Sequence, residues 1–465
     1  MAGREPLSVW LYGTRVADLT ETPNGQVDLT WTGDAYDRWG SGSRVMSHLL
    51  PIALPRDRPH PRRATAFVEG LLPEGNARTN YAMDVGVRSE DVYGLISSYG
   101  RDTAGALIFQ PVDEPEPIRV GNYRAIAEAE VGQRLRAADS HAPTDQSKRG
   151  VESISLTGMQ PKIGLHRIDG VWQACQSGAP STWIVKLAHP KDSEAEDVID
   201  TEVLCIDLAR AVGLSTIHAE IHDFDGVRAI AVRRYDRQET PDGLLRIHQE
   251  DMAQALGINT ENPSAKFQRG NNMPALKLIA EVLRAGGSEP DDLVRLVTFS
   301  HLIGNTDAHA KNISVLRHPD GTATVAPAYD VAMHLHHGRK VPLSAMDING
   351  KFRMNDITID DVVAEGVSWG LPPARVHRLV TGTAAALTEA IDAIDPDDYP
   401  GVPSKAWRTV STRIDKARRD LDDGLIDIDP PAQRFPATGD IPVVGHTRGR
   451  APVQPHIRRR GPRRP

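Results

Sequence analysis

The sequence predicts an α+β protein that is rich in strands at its start, mixed in its middle and helical towards its end. Residues 7–32 alternate apolar and polar side chains on both sides of a Pro-Asn-Gly turn, a pattern typical of strands and hairpins. Between about residues 249 and 425, apolar side chains recur three or four positions apart, which indicates helices. The stretch between these two regions contains both patterns.

These patterns divide the chain into four expected parts. A β-rich unit covers residues 1–115 and ends at the acidic, Pro-rich break that follows Val112. A mixed unit covers 116–248, a helical unit covers 249–430, and an Arg- and Pro-rich tail covers 431–465. Further predicted elements are helices at 64–98, a strand near 108, strands at 152–175 and 182–190, a helix at 194–213 ended by Gly213, a hairpin at 217–236 around Asp225-Gly226, helices at 291–304 and 375–394, and a strand and loop at 322–330.

Composition is ordinary for a soluble protein, with 40% hydrophobic and 25% charged residues among 465. The two cysteines, Cys175 and Cys205, are expected to be buried thiols in a reducing compartment. The chain contains no run of about 18 apolar residues, and its first residues do not resemble a signal peptide. We therefore expect a cytoplasmic protein without membrane contact.

The charge is unevenly distributed along the chain. The whole sequence has a formal net charge of −8, yet residues 432–465 hold eight Arg, one Asp and no Lys. This composition predicts a disordered tail. A basic tail can contact nucleic acid through phosphates, and the alternative is a solvated extension with no specific partner.

The first candidate site is a turn between two predicted strands, Leu156-Thr157-Gly158-Met159-Gln160-Pro161-Lys162. Gly158 permits close approach of the backbone to a ligand, and Gln160 and Lys162 supply donors. Backbone N–H groups in such a turn can bind phosphates. A plain β-turn is the alternative, because the glycine pattern of a Walker motif is absent.

The second candidate is Lys186, a cation inside the apolar strand Trp183-Ile-Val-Lys-Leu187. A strand lysine that contacts the α- and β-phosphates of ATP, paired with a helix glutamate, is a device of protein kinases. Glu202 on the following predicted helix is the expected partner. The alternative is a solvated lysine on an edge strand.

The third and fourth candidates lie in the helical unit. Asp307 and Asn312 are spaced as the catalytic Asp and metal-binding Asn of a kinase loop, where the Asp accepts a hydroxyl proton and the Asn ligates a metal. Asp330 follows a short predicted strand, in the place of a second Mg²⁺ ligand. Taken singly, Asp307 to Asn312 is equally typical of a loop that caps a helix, and Asp330 of a turn.

Histidines raise a separate hypothesis. His334, His336 and His337 lie close together, and they could form a zinc site with Asp307 and His309. No H-E-x-x-H motif and no cysteine ligand accompany them. A metal hydrolase built on this stretch is a weaker alternative function.

Several stretches together identify the chain as similar to the HipA family of bacterial serine/threonine kinases, the toxins of toxin–antitoxin pairs. The resemblance covers roughly residues 7–425 and excludes the tail. The matching stretches are VWLYGTRVADL, EGLLPEG, SSYGRDTAGAL, SISLTGMQPKIGL, WIVKLAHP, TEVLCIDLARAVGL, AIAVRRYDR, RIHQEDMAQALG, FSHLIGNTDAHAKNISVL and APAYDVA.

The resemblance implies a two-lobed, protein-kinase-like fold with a family-specific β-rich N-terminal subdomain and a mostly helical C-lobe. It also implies binding of ATP and Mg²⁺. Carried over by position, the roles are catalytic base for Asp307; Mg²⁺ ligands for Asn312 and Asp330; phosphate contact for Lys186; an ATP-phosphate loop for Leu156, Thr157, Gly158, Met159, Gln160 and Lys162; an adenine-facing hinge for Arg233, Tyr235 and Gln249; and phosphate-lining residues for His309 and Lys311.

Regulation and partners are also implied by the resemblance. Ser155 matches the serine that these kinases phosphorylate on themselves, which stops activity. A helix-turn-helix antitoxin (HipB-like), operator DNA contacted indirectly or through the tail, and a substrate such as an aminoacyl-tRNA synthetase are the expected partners. The alternative is an antitoxin-bound co-repressor with weak or no kinase activity. The chain departs from the family pattern at Ala308, where Gly is usual, and at Arg233, where an acidic residue is common.

Overall fold

The computed structural model describes residues 4–117, 121–139, 160–270, 274–338 and 341–422. Within these ranges the chain forms an N-terminal unit, a lobe built on a six-stranded sheet, and a helical lobe. The predicted disordered tail lies outside them. The α+β prediction is therefore confirmed, with strands concentrated in the first half and helices in the second.

The N-terminal unit is a four-stranded antiparallel sheet in the order β3-β2-β1-β4. One predicted strand is in fact two, because Tyr12 and Gly13 both adopt positive φ angles, 50° and 74°, and reverse the chain in a tight turn. The predicted turn at Pro23 separates the second strand from the third. The strands are β1 (Leu7–Leu11), β2 (Thr14–Glu21), β3 (Val27–Trp31) and β4 (Ile108–Pro111).

Four helices cover this sheet and bury its apolar side chains in one core. Local caps define where they begin: the Thr32 side chain accepts from the N–H of Ala35 at 3.2 Å, and Asp91 accepts from Gly94 at 2.8 Å. The predicted helical region 64–98 contains the last three of the four. They are α1 (Gly33–Trp39), α2 (Pro61–Glu69), α3 (Gly75–Val85) and α4 (Val92–Tyr99).

The second lobe is an antiparallel six-stranded sheet in the order β5-β7-β6-β8-β10-β9. The predicted hairpin at Asp225-Gly226 is confirmed, since both residues have positive φ angles between paired strands. The elements are β5 (Asn122–Ala125), α5 (Glu128–Asp139), β6 (Lys162–Ile168), β7 (Val171–Gln176), β8 (Trp183–Leu187), α6 (Val198–Ala211), β9 (Ala219–Asp223) and β10 (Arg228–Arg233).

Alternation along β10 assigns the two faces of this sheet. Ala229 and Ala231 belong to a core with residues of α5, whereas Ile230 and Val232 belong to the core that α6 shares with the helical lobe. Lys186 on β8 lies opposite Ile230, so its side chain projects from the α6 face. Because β8 lies between β6 and β10, Lys186 is not on an edge strand.

The helical lobe also contains short strands that the helical pattern did not predict. The segment 304–313 follows α9 and leads into β14, the central strand of a β13-β14-β15 sheet. The elements are β11 (Arg237–Thr240), β12 (Gly243–Arg246), β13 (His248–Asp251), α7 (Met252–Ala255), α8 (Leu276–Ala285), α9 (Asp291–Ile303), β14 (Ser314–Arg317), β15 (Ala323–Val325), β16 (Leu343–Ile348), β17 (Lys351–Arg353), α10 (Ile359–Ser368), α11 (Pro373–Asp392) and α12 (Ser404–Asp422).

Two further expectations from the sequence can be compared with the structure. Cys175 and Cys205 are both buried free thiols, as predicted. Across the part of the chain that the structure describes, no helix combines the length and apolarity that a bilayer crossing requires.

A fully buried ionic network joins the N-terminal unit to the sheet lobe through Asp102. Its carboxylate accepts from the Ser181 N–H at 2.9 Å, the Ser181 hydroxyl at 2.7 Å and the Arg237 guanidinium at 2.8 Å. Burial alone would raise the pKa of Asp102, but Arg237 and Arg234 hold it below its ordinary value, so the group is ionised at neutral pH.

We expect Asp102→Ala to lower the free energy of unfolding by about 3–5 kcal/mol, because the buried guanidiniums lose a carboxylate partner. The measurement is the urea midpoint followed by circular dichroism. Asp57→Ala is the control, because Asp57 is 60% exposed and lies 4.0 Å from Arg56, and it should change stability by less than about 0.5 kcal/mol. Equal midpoints for the two variants would contradict the expectation.

Candidate functional site

The centre of the candidate site is Lys186. Its Nζ atom donates to Glu202 Oε1 at 2.7 Å and to Asp330 Oδ1 at 2.6 Å. The side chains of Lys186 and Glu202 are only 8% and 3% exposed, whereas that of Asp330 is 39% exposed. The pairing with Glu202 that the sequence predicted is therefore present, and a second carboxylate joins it from the helical lobe.

Protonation of this cluster follows from its charges. Burial alone would lower the pKa of Lys186, but Asp330 and Glu202 raise it above its ordinary value. Burial opposes ionisation of Asp330, yet Lys186 and Lys162 hold the Asp330 pKa below its usual range. Both partners are therefore charged at neutral pH.

Lys162 supplies a second cation at the same place. It lies directly opposite Lys186 in the β6–β8 pair, so both side chains project from one face of the sheet. Burial, followed by repulsion from Lys186, lowers the pKa of Lys162 to about 8. Two lysines facing one another across a strand pair create a local positive potential suited to an anionic ligand.

Across from this sheet, the loop after α9 positions Asp307. Gly304 ends α9 in the left-handed conformation, with φ 75°, and a Cβ there would approach Leu335 to 2.9 Å. The buried Asn305 side chain accepts from the Asp307 N–H at 2.9 Å. The Asp307 side chain is 47% exposed, so it is held by its backbone and presented to solvent.

Asn312 returns to the same loop. Its Nδ2 donates to the Asp307 carbonyl at 2.9 Å, which leaves the amide oxygen as the atom that can bind a metal. Tyr329 also supports the loop. Its hydroxyl donates to the Lys311 carbonyl at 2.7 Å and contacts the Ser314 hydroxyl at 2.6 Å. The loop geometry thus depends on the residue immediately before Asp330.

His309 lies beside Asp307, with its Nε2 atom 3.8 Å from Asp307 Oδ2. Tyr329, the residue before Asp330, donates to the Lys311 carbonyl of the same loop. Burial and the nearby Lys266 lower the His309 pKa to about 3, so the imidazole is neutral at physiological pH. The structure therefore brings Asp307, Asn312 and Asp330 to one region.

Asp330 adopts a strained backbone conformation. Its φ of 54° lies in the left-handed region, which is uncommon for residues other than glycine and is tolerated best by Asp and Asn. Such strain persists where the surroundings determine the conformation, and it concentrates at functional sites. Here it accompanies the side-chain contact with Lys186.

Lys311 lies in a different environment from the predicted phosphate-lining one. It is buried, and its Nζ donates to the Gly70 carbonyl at 3.1 Å and lies 3.4 Å from Glu74 and 3.2 Å from Asp251. Glu74 also accepts from Lys266 at 3.1 Å. The N-terminal unit thus directly supports the loop of residues 304–313, which contains Asp307 and Asn312. Sequence reasoning did not predict these residues, although EGLLPEG, the stretch containing Gly70 and Glu74, was recognised as a family motif.

Two of the predicted adenine-facing residues, Arg233 and Tyr235, lie where β10 leads into β11, and the third, Gln249, lies on β13. Tyr235 donates to the Gln249 side-chain oxygen and its ring lies 5.7 Å from that of Tyr329. Arg233 faces Trp183 across the strand pair and reaches Glu239 at 3.3 Å. Their contact with a nucleotide stays a prediction.

Only the end of the predicted phosphate loop is described. Gln160 donates to the Leu187 carbonyl at 2.7 Å, which ties the loop to β8 beside Lys186. Five predicted residues lie outside the described ranges: Ser155, Leu156, Thr157, Gly158 and Met159.

The predicted zinc site of His334, His336 and His337 with Asp307 and His309 is wrong. His336 and His337 both contact Asp197 at the start of α6, at 2.5 Å and 2.7 Å, instead of Asp307 and His309. His334 lies apart from that carboxylate and accepts from the Thr306 N–H at 3.4 Å. Residues 334–337 form a turn that directs His336 and His337 towards α6. In an extended segment these two neighbouring side chains would instead point to opposite sides.

Comparison with known proteins identifies the family. The model of the HipA N-terminal domain matches residues 7–110, and that of the HipA-like C-terminal domain matches residues 154–391. The chain belongs to the HipA family. A relative in Sinorhizobium fredii named "Putative kinase Y4mE" is 31% identical over 83% of this chain and 92% of its own.

Two further relatives support the HipA assignment. The serine/threonine-protein kinase toxin HipA of Shewanella oneidensis is 28% identical over 70% of this chain and 76% of its own. The solved Shewanella oneidensis complex of HipA, HipB and operator DNA contains a chain with a TM-score of 0.69 and 22% identity, covering 90% of this chain and 97% of that one. The two-lobed, kinase-like HipA fold is thereby established for this chain.

The lowered pKa of Lys162 is directly testable in this HipA-family chain. We expect its reaction with an amine-acylating reagent to rise between about pH 7 and pH 9 and then level off, because the neutral amine is the nucleophile. Peptide mass spectrometry after brief labelling gives the rate at each pH. Exposed Lys405 is the reference site. A rate at Lys162 that is still increasing above about pH 10 would contradict the lowered pKa.

Proposed function

We propose that this HipA-type kinase uses ATP and Mg²⁺ to phosphorylate serine or threonine hydroxyls of a protein. The observation that carries the proposal is the convergence of Lys186, Glu202 and Asp330 at the face of the sheet, while Tyr329, next to Asp330, holds the loop of Asp307 and Asn312. Phosphoryl transfer requires mainly positioning and charge neutralisation, and these groups supply both.

The nucleotide phosphates would bind at the two lysines. Lys162 and Lys186 face one another on adjacent strands, and phosphate oxygens between them would relieve their repulsion. Gln160 is bound to the Leu187 carbonyl of β8. We propose that backbone N–H groups of residues 156–159 add further phosphate donors. Glu202 keeps Lys186 oriented whether or not nucleotide is present.

The remaining oxygen atoms suit magnesium. Asp330 contributes a partly exposed carboxylate that is ionised at neutral pH, and Asn312 contributes an amide oxygen from the loop that Tyr329, the residue before Asp330, contacts. Mg²⁺ prefers oxygen ligands and keeps several sites for water and phosphate. Bound there, the ion would neutralise charge on the phosphates.

Asp307 would act on the attacking hydroxyl. Its carboxylate is 47% exposed, while Asn305 and Asn312 fix the backbone on either side. It would orient the hydroxyl and accept its proton as the oxygen attacks the γ-phosphorus and ADP leaves. Neutral His309 lies close enough to restrict the rotamers of Asp307 without adding a competing charge.

We expect Asp307→Asn to lower the rate of phosphate transfer by about 10²–10⁴-fold, because the amide cannot accept the proton. Transfer from labelled ATP to the protein itself and to a generic protein acceptor is the measurement, with a chelator arm that removes Mg²⁺. Asp356→Asn is the control, an exposed aspartate that should leave the rate unchanged. Equal labelling in all three proteins would overturn the proposal.

The proposal includes inhibition through Ser155. A phosphate adds nearly two negative charges, and Ser155 precedes the residues that we assign to the ATP phosphates. Phosphorylation there would repel ATP from the loop. The modification therefore gives the kinase a way to stop itself.

Incubation with ATP and Mg²⁺ should place phosphate on Ser155 and not on neighbouring Ser153, as seen by peptide mass spectrometry. The Ser155→Ala variant should keep its activity longer than the wild-type protein, and Ser153→Ala should behave as wild type. Phosphate that is absent from Ser155, in a preparation that transfers phosphate elsewhere, would remove this regulation but not the kinase.

Partners follow from the solved relative, which is a complex of HipA, HipB and operator DNA. We propose a HipB-like antitoxin for this chain, with operator DNA approached through the complex and through the Arg-rich tail. The co-repressor role considered from the sequence is compatible with kinase activity. An aminoacyl-tRNA synthetase is the proposed substrate on the basis of family resemblance.

A further inference from the structure

We propose that Asp197, His336 and His337 form a binding site for a divalent transition metal ion of the zinc class. The site lies at the junction of α6 with the segment that follows Asp330, and it is separate from the oxygen ligands of the proposed Mg²⁺ site. It stands independently of the proposed kinase activity.

The geometry of the three side chains carries the inference. His336 Nε2 lies 2.5 Å from Asp197 Oδ2, and His337 Nε2 lies 2.7 Å from Asp197 Oδ1. One ligand atom from each residue lies within 4.8 Å of the other two. Ligand atoms in a tetrahedral zinc site are about 3.5 Å apart, so side-chain rotations that lengthen the two imidazole–carboxylate contacts by about 1 Å would admit an ion.

Burial and rigidity distinguish this set from a chance surface cluster. The side chains of His336, His337 and Asp197 are only 4%, 11% and 15% exposed. The His337 N–H donates to the His334 carbonyl at 3.2 Å, and this turn brings the two imidazole rings to 4.0 Å between centroids. The Asp197 side chain does not cap α6, although it stands at the N-cap position, so it is free of that competing role.

The donor set selects the class of ion. Two imidazole nitrogens and one carboxylate favour Zn²⁺ and its neighbours over Mg²⁺, which prefers oxygen. Three protein ligands leave a fourth position for water or another side chain. The ion would tie α6, which carries Glu202, to the segment after Asp330, and so join the elements that hold both carboxylate partners of Lys186.

The test is metal binding by the full chain after chelator treatment. We expect about one equivalent of Zn²⁺ per chain by elemental analysis after dialysis in excess Mg²⁺. With Co²⁺ as the probe, visible absorption typical of tetrahedral coordination should appear and be displaced by Zn²⁺. The variants Asp197→Asn and His336→Gln/His337→Gln should lose the bound ion and the Co²⁺ spectrum.

Two controls define the result. His318→Gln removes a histidine that lies outside the set and contacts Thr324, and this variant should bind the ion as the wild-type protein does. Asp330→Asn alters the proposed Mg²⁺ site and should also retain the ion, which separates the two sites. Circular dichroism establishes that each variant is folded.

Wild-type protein without stoichiometric Zn²⁺ and without a Co²⁺ spectrum would overturn the proposal. Binding that survives in both Asp197→Asn and His336→Gln/His337→Gln would overturn it as well. In either case the contact is a metal-free carboxylate–imidazole interaction. Neither result bears on phosphate transfer, which the Asp307 variant tests separately.

Discussion

The structure depends on compensation of the buried charge of Lys186. An ammonium group inside a sheet lobe is unfavourable unless carboxylates surround it, and leaving such a charge unpaired costs several kcal/mol. Glu202 comes from α6 and Asp330 from the helical lobe, so the folded chain meets this requirement only when both elements approach β8. With Lys162 opposite, two cations face two anions, and the relative position of the lobes is set by the same contacts that form the site.

The N-terminal unit imposes a second constraint, from the other side of the catalytic-type loop. Lys311 is held by the Gly70 carbonyl, Glu74 and Asp251, and Glu74 also binds Lys266. The loop that carries Asp307 and Asn312 is thus supported by a segment between α2 and α3, far away in sequence. This unit therefore contributes to positioning the site and is not simply an attached module.

Local patterns in the sequence predicted most elements and the candidate residues, because periodicity and turn residues are local properties. Helices α6 and α9 and the Asp225-Gly226 hairpin follow from them, whereas the Lys186–Glu202 pair is expected by analogy with the strand lysine and helix glutamate of protein kinases. The Tyr12-Gly13 turn was missed since Tyr is a weak turn signal, and the three-residue strand β17 is too short to show alternation. The support of Lys311 and the Asp197 contact could not be predicted, because tertiary packing alone brings those side chains together.

The difference in exposure between Glu202 and Asp330 shows why the two carboxylates on Lys186 are not equivalent. Glu202 is 3% exposed on a helix packed into the main core, where burial raises its pKa and its Oε1 atom accepts from Lys186. Asp330 is ionised and adopts a left-handed backbone conformation. Because its side chain is 39% exposed, a carboxylate oxygen remains accessible to a ligand. In the proposed function, a metal ion bound with the phosphates would engage Asp330 while Glu202 retains Lys186. Tyr329, the residue before Asp330, donates to the Lys311 carbonyl, so the backbone at Asp330 and the Asp307–Asn312 loop share one support.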